Sequence, residues 1–310
     1  MTASPDPDPR PGGAETPAPG NRGRSAAILV LVLGLGAGIA WAGSQGGALV
    51  GGVPVFALAV AWVFLVQSVG FLHAWTKQTE HYFDLLGSLT YITTVVAAWV
   101  LSGHRDATAM LIGGAVVVWA ARLGTFLFRR VRRAGSDDRF DAIKPNFPRF
   151  LNVWMLQGLW VTITLGAALA AITAAPRPAF GAMTVVGLLV WALGFGFEVV
   201  ADTQKSRFRA DPANQGEFIS TGVWAWSRHP NYFGEIVAWA GIALAAFPAL
   251  HGWQYVTLLS PVFVVLLLTR VSGIPLLEKK ADARWGDRAD YQAYRAATPV
   301  LVPRPRPKRA

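Results

Sequence analysis

The segment Gly222-Val-Trp-Ala-Trp-Ser-Arg-His-Pro-Asn-Tyr-Phe-Gly-Glu235 joins a charged stretch to an apolar run that ends near Leu250. Its last eight positions contain the polar or ionisable residues Arg228, His229, Asn231, Tyr232 and Glu235. Proline suits the first turn of a helix, because its fixed φ fits there and its missing N–H would be unpaired anyway. The segment therefore predicts a helix that starts at Pro230, with Ser227 or His229 near its cap.

One face of this predicted helix carries Asn231, Glu235 and Trp239 at positions i, i+4 and i+8. The free N–H groups and the positive dipole end of the helix are suited to an anion, with Arg228 beside them. A carboxylate inside a membrane helix indicates a functional site, so we expect this face to look into a cavity. The alternative is structural: Arg228 and His229 lie among lipid headgroups, Asn231 caps the helix and Glu235 pairs with a neighbouring arginine.

The composition is typical of a membrane protein that crosses the bilayer several times. Of its 310 residues, 53% are hydrophobic and only 15% are charged, and 13 are tryptophans. The net charge of +10 comes from basic residues between the apolar runs, which favours anionic lipid over nucleic acid as the partner. The absence of cysteine excludes disulfides and thiolate chemistry. The histidines have no metal-ligand spacing, so we expect no metal site.

Eight apolar runs have about the length, roughly 20 residues, that a helix needs to cross the hydrocarbon core. They cover approximately residues 25–42, 51–72, 85–101, 107–128, 151–174, 179–200, 233–250 and 253–269. We predict an all-α polytopic bundle of seven or eight transmembrane helices over residues 25–270, with a cofactor cavity that faces the cytosol. The sequence also predicts a disordered tail over 1–24 and a cytoplasmic, partly catalytic segment over 271–310. A cleaved signal peptide is the alternative for the first run, but the long polar leader favours a retained span.

The loops between the runs alternate between cation-poor and cation-rich. Arg105 and Arg177 are the only cations in the poor loops, whereas the rich loops include the segment from Arg129 to Arg149 and the carboxyl-terminal tail. The positive-inside rule then places both termini in the cytoplasm. We expect an integral protein of the bacterial inner membrane.

Polar and ionisable residues recur at or inside the predicted cytoplasmic ends of the runs. The third run has Asp84, Ser88 and Tyr91 along one face, and the fourth has Arg122. The fifth has Asn152 and Gln157, and the sixth has Glu198, Asp202, Lys205 and Arg209 along one face. Each has a structural alternative, as a surface ion pair, a packed tyrosine or a snorkelling arginine. Several buried charges on one side of the membrane nevertheless demand partners or a polar ligand.

The Arg228-His-Pro-Asn-Tyr-Phe-Gly-Glu235 segment, the upstream Asp202-Thr-Gln-Lys-Ser-Arg-Phe-Arg209 segment and the tail from Gly273 to Pro303 resemble the bacterial branch of the steroid 5α-reductase family. That branch is catalogued as domain of unknown function 1295. The Arg-His-Pro core also resembles that of isoprenylcysteine carboxyl methyltransferases, which bind S-adenosylmethionine. The resemblance covers most of the chain from about residue 60, so the motif identifies a superfamily more securely than a reaction.

The reductase resemblance implies a helical bundle that binds NADPH and reduces a carbon–carbon double bond conjugated to a carbonyl in a lipid-soluble, steroid-like or isoprenoid-like substrate. By that likeness the cofactor is held by residues that match the family's motifs or adjoin them. These are Arg122, Gln157, Asp202, Lys205, Arg209, Arg228, His229, Asn231, Tyr232 and Glu235.

The substrate end implied by the resemblance departs from the family pattern. The family's Glu and Tyr that bind the ketone oxygen align with Asp84 and Trp119, so the phenol is missing. Asp84, in its protonated form, and Tyr91 are the candidate catalytic donors to the developing oxyanion.

Two other classes of function remain open on the sequence alone. An S-adenosylmethionine-dependent methyltransferase is the main alternative. That cofactor, however, has no phosphate group that could pair with the excess of Arg and Lys side chains. A transporter or lipid-binding scaffold is a third possibility, although the sequence has no evident internal repeat and its buried charges collect on one side.

Overall fold

The computed structural model describes residues 20–134, 140–177 and 179–305, and within them the protein is an all-α polytopic membrane protein. Eight helical segments of this part of the chain are long and apolar enough to cross a membrane. The helices are α1 Gly20–Gly43, α2 Val55–Lys77, α3 Phe83–Ser102, α4 Ala107–Ala134, α5 Phe147–Thr173, α6 Ala182–Ala210, α7 Pro230–Ala246, α8 Leu259–Leu266, α9 Ile274–Trp285 and α10 Ala289–Ala297. The eighth span, Gly252–Trp285, combines α8 and α9 with a 3₁₀ turn and a π-helical turn.

The amino-terminal part of the bundle differs from the prediction at two places. Residues 51–54 were predicted as helix, which is wrong, because they form the turn and second strand of a hairpin, with β1 Leu49–Val50 and β2 Val53–Pro54. Gly51 and Gly52 have φ of 57° and 80°, and this double positive φ is what a two-residue hairpin turn requires. Helix α1 begins at Gly20, so residues 20–24 of the segment predicted to be disordered are helical, and residues 1–19 lie outside the described residues.

Helix α5 is the centre of the bundle, and more of its span is buried than of any other described span. It packs against α1, α2, α3, α4, α7 and α8. Its second half includes four small residues, Ala167, Ala168, Ala170 and Ala171, that are completely buried. Small side chains allow neighbouring backbones to approach closely in a membrane, where packing rather than water drives helix association.

Helices α6 and α7 make the most extensive pairwise contact, and glycines line it on both sides. Gly187 and Gly194 lie seven residues apart on α6, as do Gly234 and Gly241 on α7. A Cβ atom at any of the four would come within 3.0 Å of backbone on the other helix. The two helices are therefore in backbone contact over about two turns of each helix. This contact fixes the position of α6 side chains relative to those of α7.

Polar contacts tie the helices together at both ends of the bundle. At the end that carries Lys77 and Arg130, which we call the basic end, Lys144 Nζ lies 2.6 Å from Glu80 Oε2. At the opposite end Arg177 binds both carboxylate oxygens of Asp106, each at 2.7 Å, and also donates to carbonyls at the end of α5, including that of Ala171. These contacts place the ends of α3, α4 and α5 in register.

We expect Asp106→Asn to lower the free energy of unfolding in detergent by about 1 kcal/mol at neutral pH, since solvent screens this 37% exposed side chain. Burial tends to raise the pKa of Asp106, but the hydrogen bonds from Arg177 outweigh it and hold the pKa below the usual 3.8. The ionised group therefore stabilises the fold above pH 3.8, and this contribution is lost as the pH falls through the folded-state pKa. Denaturant titrations of wild type and variant should converge at low pH, and a gap that does not change with pH would contradict the assignment.

Candidate functional site

The core of the candidate site is an ion cluster between α4 and α6. Arg122 on α4 donates through Nη1 to Glu198 and through Nη2 to Asp202, both at 2.6 Å. Trp119 Nε1, one turn earlier, donates to the second oxygen of Glu198 at 3.1 Å. Glu198 and Asp202 are 3% and 6% exposed, so both carboxylates are buried among helices. Arg122 therefore joins α4 to α6 by a two-pronged, charge-assisted contact.

Helix α7 adds a third carboxylate to this group. Glu235 is buried and lies close enough to Glu198 and Asp202 for the charges to interact. The side-chain amide of Asn231, one turn earlier on α7, lies beside Asp202. We call Arg122, Glu198, Asp202, Asn231 and Glu235 the carboxylate cluster. Its three carboxylates surround one guanidinium, an imbalance that is costly in a buried site unless a proton or a ligand compensates it.

An aromatic layer adjoins the carboxylate cluster deeper in the bundle. The Tyr91 ring lies 5.3 Å from Trp119 and 5.8 Å from Trp239, and the two indoles are 4.9 Å apart. The Tyr91 hydroxyl faces Thr164 on α5, yet among the described residues neither oxygen has a well-formed hydrogen bond, and Trp239 Nε1 is likewise buried without a partner there. Unpaired buried donors are uncommon in folded proteins and indicate a place where a polar group can bind.

A group of cations lies beside the carboxylate cluster, toward the basic end. Lys205 and Arg209 on α6 lie close enough to Arg130 on α4 for their charges to interact, and Arg284 on α9 acts on Arg209. Within the described part of the chain, neither Lys205 nor Arg209 has a carboxylate within ion-pair distance, although Lys205 interacts electrostatically with Asp202, and Arg130 lies 3.6 Å from Asp84. We call Lys205, Arg209, Arg130 and Arg284 the cation group. Arg209, Arg130 and Arg284 are exposed to solvent, and an anionic ligand would reduce the repulsion among the four cations.

The Arg-His-Pro motif forms a third, adjacent set of contacts. Helix α7 begins at Pro230, as predicted, with His229 in the cap position. Glu278 on α9 accepts from Arg228 Nη1, and its other oxygen lies 2.7 Å from His229 Nε2. The Tyr232 ring stacks on His229 at 5.7 Å. Burial lowers the pKa of His229 below its usual 6.5, and the Glu278 carboxylate opposes that shift.

Comparison with known proteins identifies the family to which the chain belongs. The model of the family described as "Protein of unknown function (DUF1295)" matches residues 70–298, about three quarters of the chain. The chain belongs to the DUF1295 family. The matched range contains the carboxylate cluster, the cation group and the Arg-His-Pro motif, so the whole candidate site lies in the DUF1295 region.

Two curated relatives of this DUF1295 protein carry different descriptions. An uncharacterized protein of Schizosaccharomyces pombe is 24% identical over 199 residues, which cover 55% of this chain and 58% of the relative. The probable O-methyltransferase ustE of Ustilaginoidea virens is 30% identical over 66 residues, which cover 21% of this chain and 23% of the relative. The chain thus spans less than two thirds of the length of either relative. No solved structure matches it significantly.

The structure brings together most of the candidate site residues that the sequence of this DUF1295 protein indicates. Four of them lie in the carboxylate cluster, two lie in the cation group, three belong to the adjacent Arg-His-Pro contacts, and one lies in the aromatic layer. In that order they are Arg122, Asp202, Asn231 and Glu235, then Lys205 and Arg209, then Arg228, His229 and Tyr232, and finally Tyr91.

Gln157 and Asp84 lie apart from the carboxylate cluster. Gln157 Nε2 donates to the Phe83 carbonyl at 3.1 Å, which places the amide in the contact between α3 and α5. Asp84 lies at the first turn of α3 beside Arg130, at the edge of the cation group. Asp84 and Tyr91 are seven residues apart along α3, roughly 10 Å in axial rise, so one substrate oxygen does not meet both.

Several residues of the arrangement were not among the predicted site residues. Glu278, Arg130 and Arg284 come from α9 and α4, and their positions depend on how those helices pack. Thr164 lies in the middle of an apolar run and has no sequence signal beyond its hydroxyl. Glu198 did have a signal, since it lies one turn before Asp202 on the charged face of α6.

A separate apolar cavity of about 480 Å³ lies between α2 and α3, on a different side of α3 from Tyr91. It contains none of the residues of the carboxylate cluster. Its lining includes Trp62, Val69, Leu85, Leu89 and Trp154.

Proposed function

We propose that this protein is an integral membrane reductase that uses NADPH to reduce an enone double bond in a lipid-soluble, steroid-like or isoprenoid-like substrate. The observation that carries the proposal is the cation group beside the carboxylate cluster. Four cations from three helices that have few carboxylate partners suit a ligand with several phosphates. NADPH has three phosphate groups, whereas S-adenosylmethionine has none.

The residues present fit such a nucleotide in two parts. Lys205 and Arg209 would hold phosphates together with the start of α7, where free N–H groups and Arg228 also favour an anion. Asn231 and Glu235, one and two turns into the same helix, would hold the nicotinamide end, with Asp202 fixed in place by Arg122. When bound, NADPH would supply a hydride to the β-carbon of the enone.

The protein's own contribution to that reaction is to stabilise the negative charge that develops on the carbonyl oxygen. Tyr91 is the donor that the geometry favours, because its hydroxyl is buried, has no well-formed hydrogen bond and lies next to the carboxylate cluster. A donor already in place is most effective where water is excluded. Asp84 is less suited to this role, since it lies beside the exposed guanidinium of Arg130.

An S-adenosylmethionine-dependent methyltransferase of the isoprenylcysteine carboxyl type is the second candidate. Two observations favour it: the similarity of 66 residues to a probable O-methyltransferase, and the excess of carboxylates around Arg122. S-adenosylmethionine carries a sulfonium and an ammonium group, and buried carboxylates stabilise cations. The cation group has no role in this second candidate, which is why we place it after the reductase.

The proposed orientation puts the basic end, and with it both termini, in the cytoplasm of a bacterial inner membrane. Lys77, Lys144, Arg130, Arg209 and Arg228 lie at or near this end, as the positive-inside rule requires. A soluble nucleotide would then enter from the cytosol, and a lipid-soluble substrate from between the helices.

Thermal unfolding in detergent with NADPH and with S-adenosylmethionine tests the two candidates directly. A ligand that binds only the folded state stabilises it, by about 2.7 kcal/mol when its concentration is 100 times Kd. We expect NADPH to raise the Tm of the wild type, and Glu235→Gln and Arg209→Ala to reduce that rise.

Arg207→Ala is the matched control for Arg209→Ala, because Arg207 is an exposed arginine on the same helix, away from the cation group. Its response to NADPH should equal that of the wild type. A rise in Tm with S-adenosylmethionine alone would establish the methyltransferase and overturn the reductase.

A further inference from the structure

Glu278 connects the Arg-His-Pro motif to α9, and it was not among the predicted site residues. One of its oxygens accepts from Arg228 Nη1 and the other lies 2.7 Å from His229 Nε2. An ionised carboxylate can only accept, so His229 must carry its hydrogen on Nε2. Two further nitrogens of the pair, Arg228 Nε and His229 Nδ1, are buried and have no hydrogen-bond partner among the residues that the structure describes.

The backbone of the motif is held by other contacts. Arg228 N donates to the Pro299 carbonyl at 2.9 Å, and Ser227 Oγ donates to the Leu301 carbonyl at 2.7 Å. His229 N in turn donates to Ser227 Oγ at 3.1 Å. The carboxyl-terminal segment thus fixes the main chain of the motif, whereas Glu278 contacts the side chains of Arg228 and His229.

The tautomer has a chemical consequence for ligand binding. With Nε2 carrying the hydrogen, neutral His229 presents only a lone pair at Nδ1, which a phosphate oxygen does not bind. Once protonated, the ring presents an Nδ1–H donor beside the positive charge of Arg228. Binding of an anion at this position therefore requires the uptake of one proton.

We propose that Glu278 is a positioning residue that orients Arg228 and His229 to bind a phosphate of the nucleotide and makes that binding depend on protonation of His229. This inference rests on the proposed function for the identity of the anion. It does not rest on it for the coupling between Glu278 and His229, which can be measured without a ligand.

The charged groups around His229 determine the direction of the pH effect. Glu278 on α9 favours the protonated ring, whereas burial, Lys205 on α6 and the neighbouring Arg228 disfavour it. Tyr232 on α7 contributes a stacked ring. Removing the carboxylate charge therefore lowers the pKa of His229 further below its usual 6.5.

The first measurement is an NMR titration of His229 in detergent, without nucleotide, for the wild type, Glu278→Gln and Glu217→Gln. Glu217→Gln is the matched control, because Glu217 pairs with Arg288 on the surface, away from His229. The His229 pKa should fall in Glu278→Gln and remain at the wild-type value in Glu217→Gln. An unchanged value in Glu278→Gln would overturn the inference.

The second measurement is the affinity for NADPH between pH 5 and 8. We expect wild-type affinity to increase as the pH falls through the pKa of His229. Glu278→Gln should bind NADPH about tenfold more weakly at pH 7, as expected for the loss of about one charge-assisted hydrogen bond, with the increase moved to lower pH. The phosphates of NADPH also titrate, but they are common to all variants, so the difference between proteins isolates His229.

The outcomes separate the two proposals. Wild-type protein that does not bind NADPH would defeat the proposed function, while the NMR titration would still test the coupling of Glu278 to His229. Wild-type protein that binds NADPH, with Glu278→Gln showing the same affinity and pH dependence, would overturn the positioning role alone. A lowered Tm in Glu278→Gln with an unchanged pH profile would assign Glu278 to stability and would also overturn it.

Discussion

Replacing Arg122 by leucine is expected to destabilise the protein by about 3–5 kcal/mol and to abolish binding of NADPH. The guanidinium is the partner of Glu198 and Asp202, and both carboxylates are almost completely buried. Removing one side of a buried ion pair leaves the other side uncompensated, which costs more than the pair itself contributes. Denaturant titration in detergent measures the first effect, and NADPH-induced stabilisation of the remaining folded protein measures the second.

A compensating variant distinguishes charge from packing as the source of this loss. Combining Arg122→Leu with Glu198→Gln and Asp202→Asn removes the unpaired negative charges and should recover part of the lost stability. Recovery of NADPH binding is not expected, since the residues that fix the nucleotide remain altered. If the triple variant is no more stable than Arg122→Leu, buried charge is not the cause of the destabilisation.

Gly194→Ala is expected to destabilise the protein by about 3 kcal/mol, a large effect for the addition of one methyl group. Its new Cβ would lie within 3.0 Å of the backbone nitrogen of Ala238 and the carbonyl oxygen of Gly234. These are main-chain atoms that cannot move aside as a flexible side chain can. Helices α6 and α7 would have to separate, which also moves Glu198 away from Glu235.

Gly196→Ala, two residues further along the same helix, is the matched control. A Cβ at Gly196 meets no atom of the described residues within 4 Å, so its effect is limited to helix propensity. Alanine is favoured over glycine in a helix by about 1 kcal/mol, so this variant should be at least as stable as the wild type. Opposite signs for the two variants in the same unfolding assay are the expected result. Equal effects would show that α6 and α7 do not pack through their backbones.

Much of the fold could be predicted because helices that span a membrane have long, almost uninterrupted apolar sequences. The eight apolar runs and the alternation of cation-rich loops correspond to eight spans of the structure. The ends were less accurate, because charged residues can continue a helix beyond the apolar core. Helix α4 extends from the predicted end at residue 128 to Ala134, and α5 begins at Phe147 rather than at residue 151.

The hairpin before α2 was missed although its signal, Gly51-Gly52, is present in the sequence. An apolar stretch continues through Val53 to Val55, and hydropathy alone does not distinguish an extended apolar segment from the start of a helix. At this position the turn preference of the two glycines, and not hydropathy, determines the structure.

The candidate site was predictable where its residues share a helix and less so where they meet across helices. The spacing of Glu198, Asp202, Lys205 and Arg209 predicted a polar face on α6, and the structure has that face turned toward Arg122 and Asn231. The link between Glu278 and His229 joins residues 49 positions apart in the chain. The periodicity of a single helix does not predict such a contact, because the contact depends on how α9 packs against the start of α7.

The bundle is mechanically uneven. The backbone contact between α6 and α7 leaves no room for an added side-chain atom at their glycines, whereas α2 and α3 border an open apolar groove of about 480 Å³. Exposed side chains such as Val69 and Leu89, which line this groove, can change rotamer readily, whereas main-chain contact fixes the separation of Glu198 from Glu235. The protein thus combines a rigid pair of helices, α6 and α7, which fixes the distance between buried carboxylates, with a groove between α2 and α3 whose side chains can adapt to an apolar ligand.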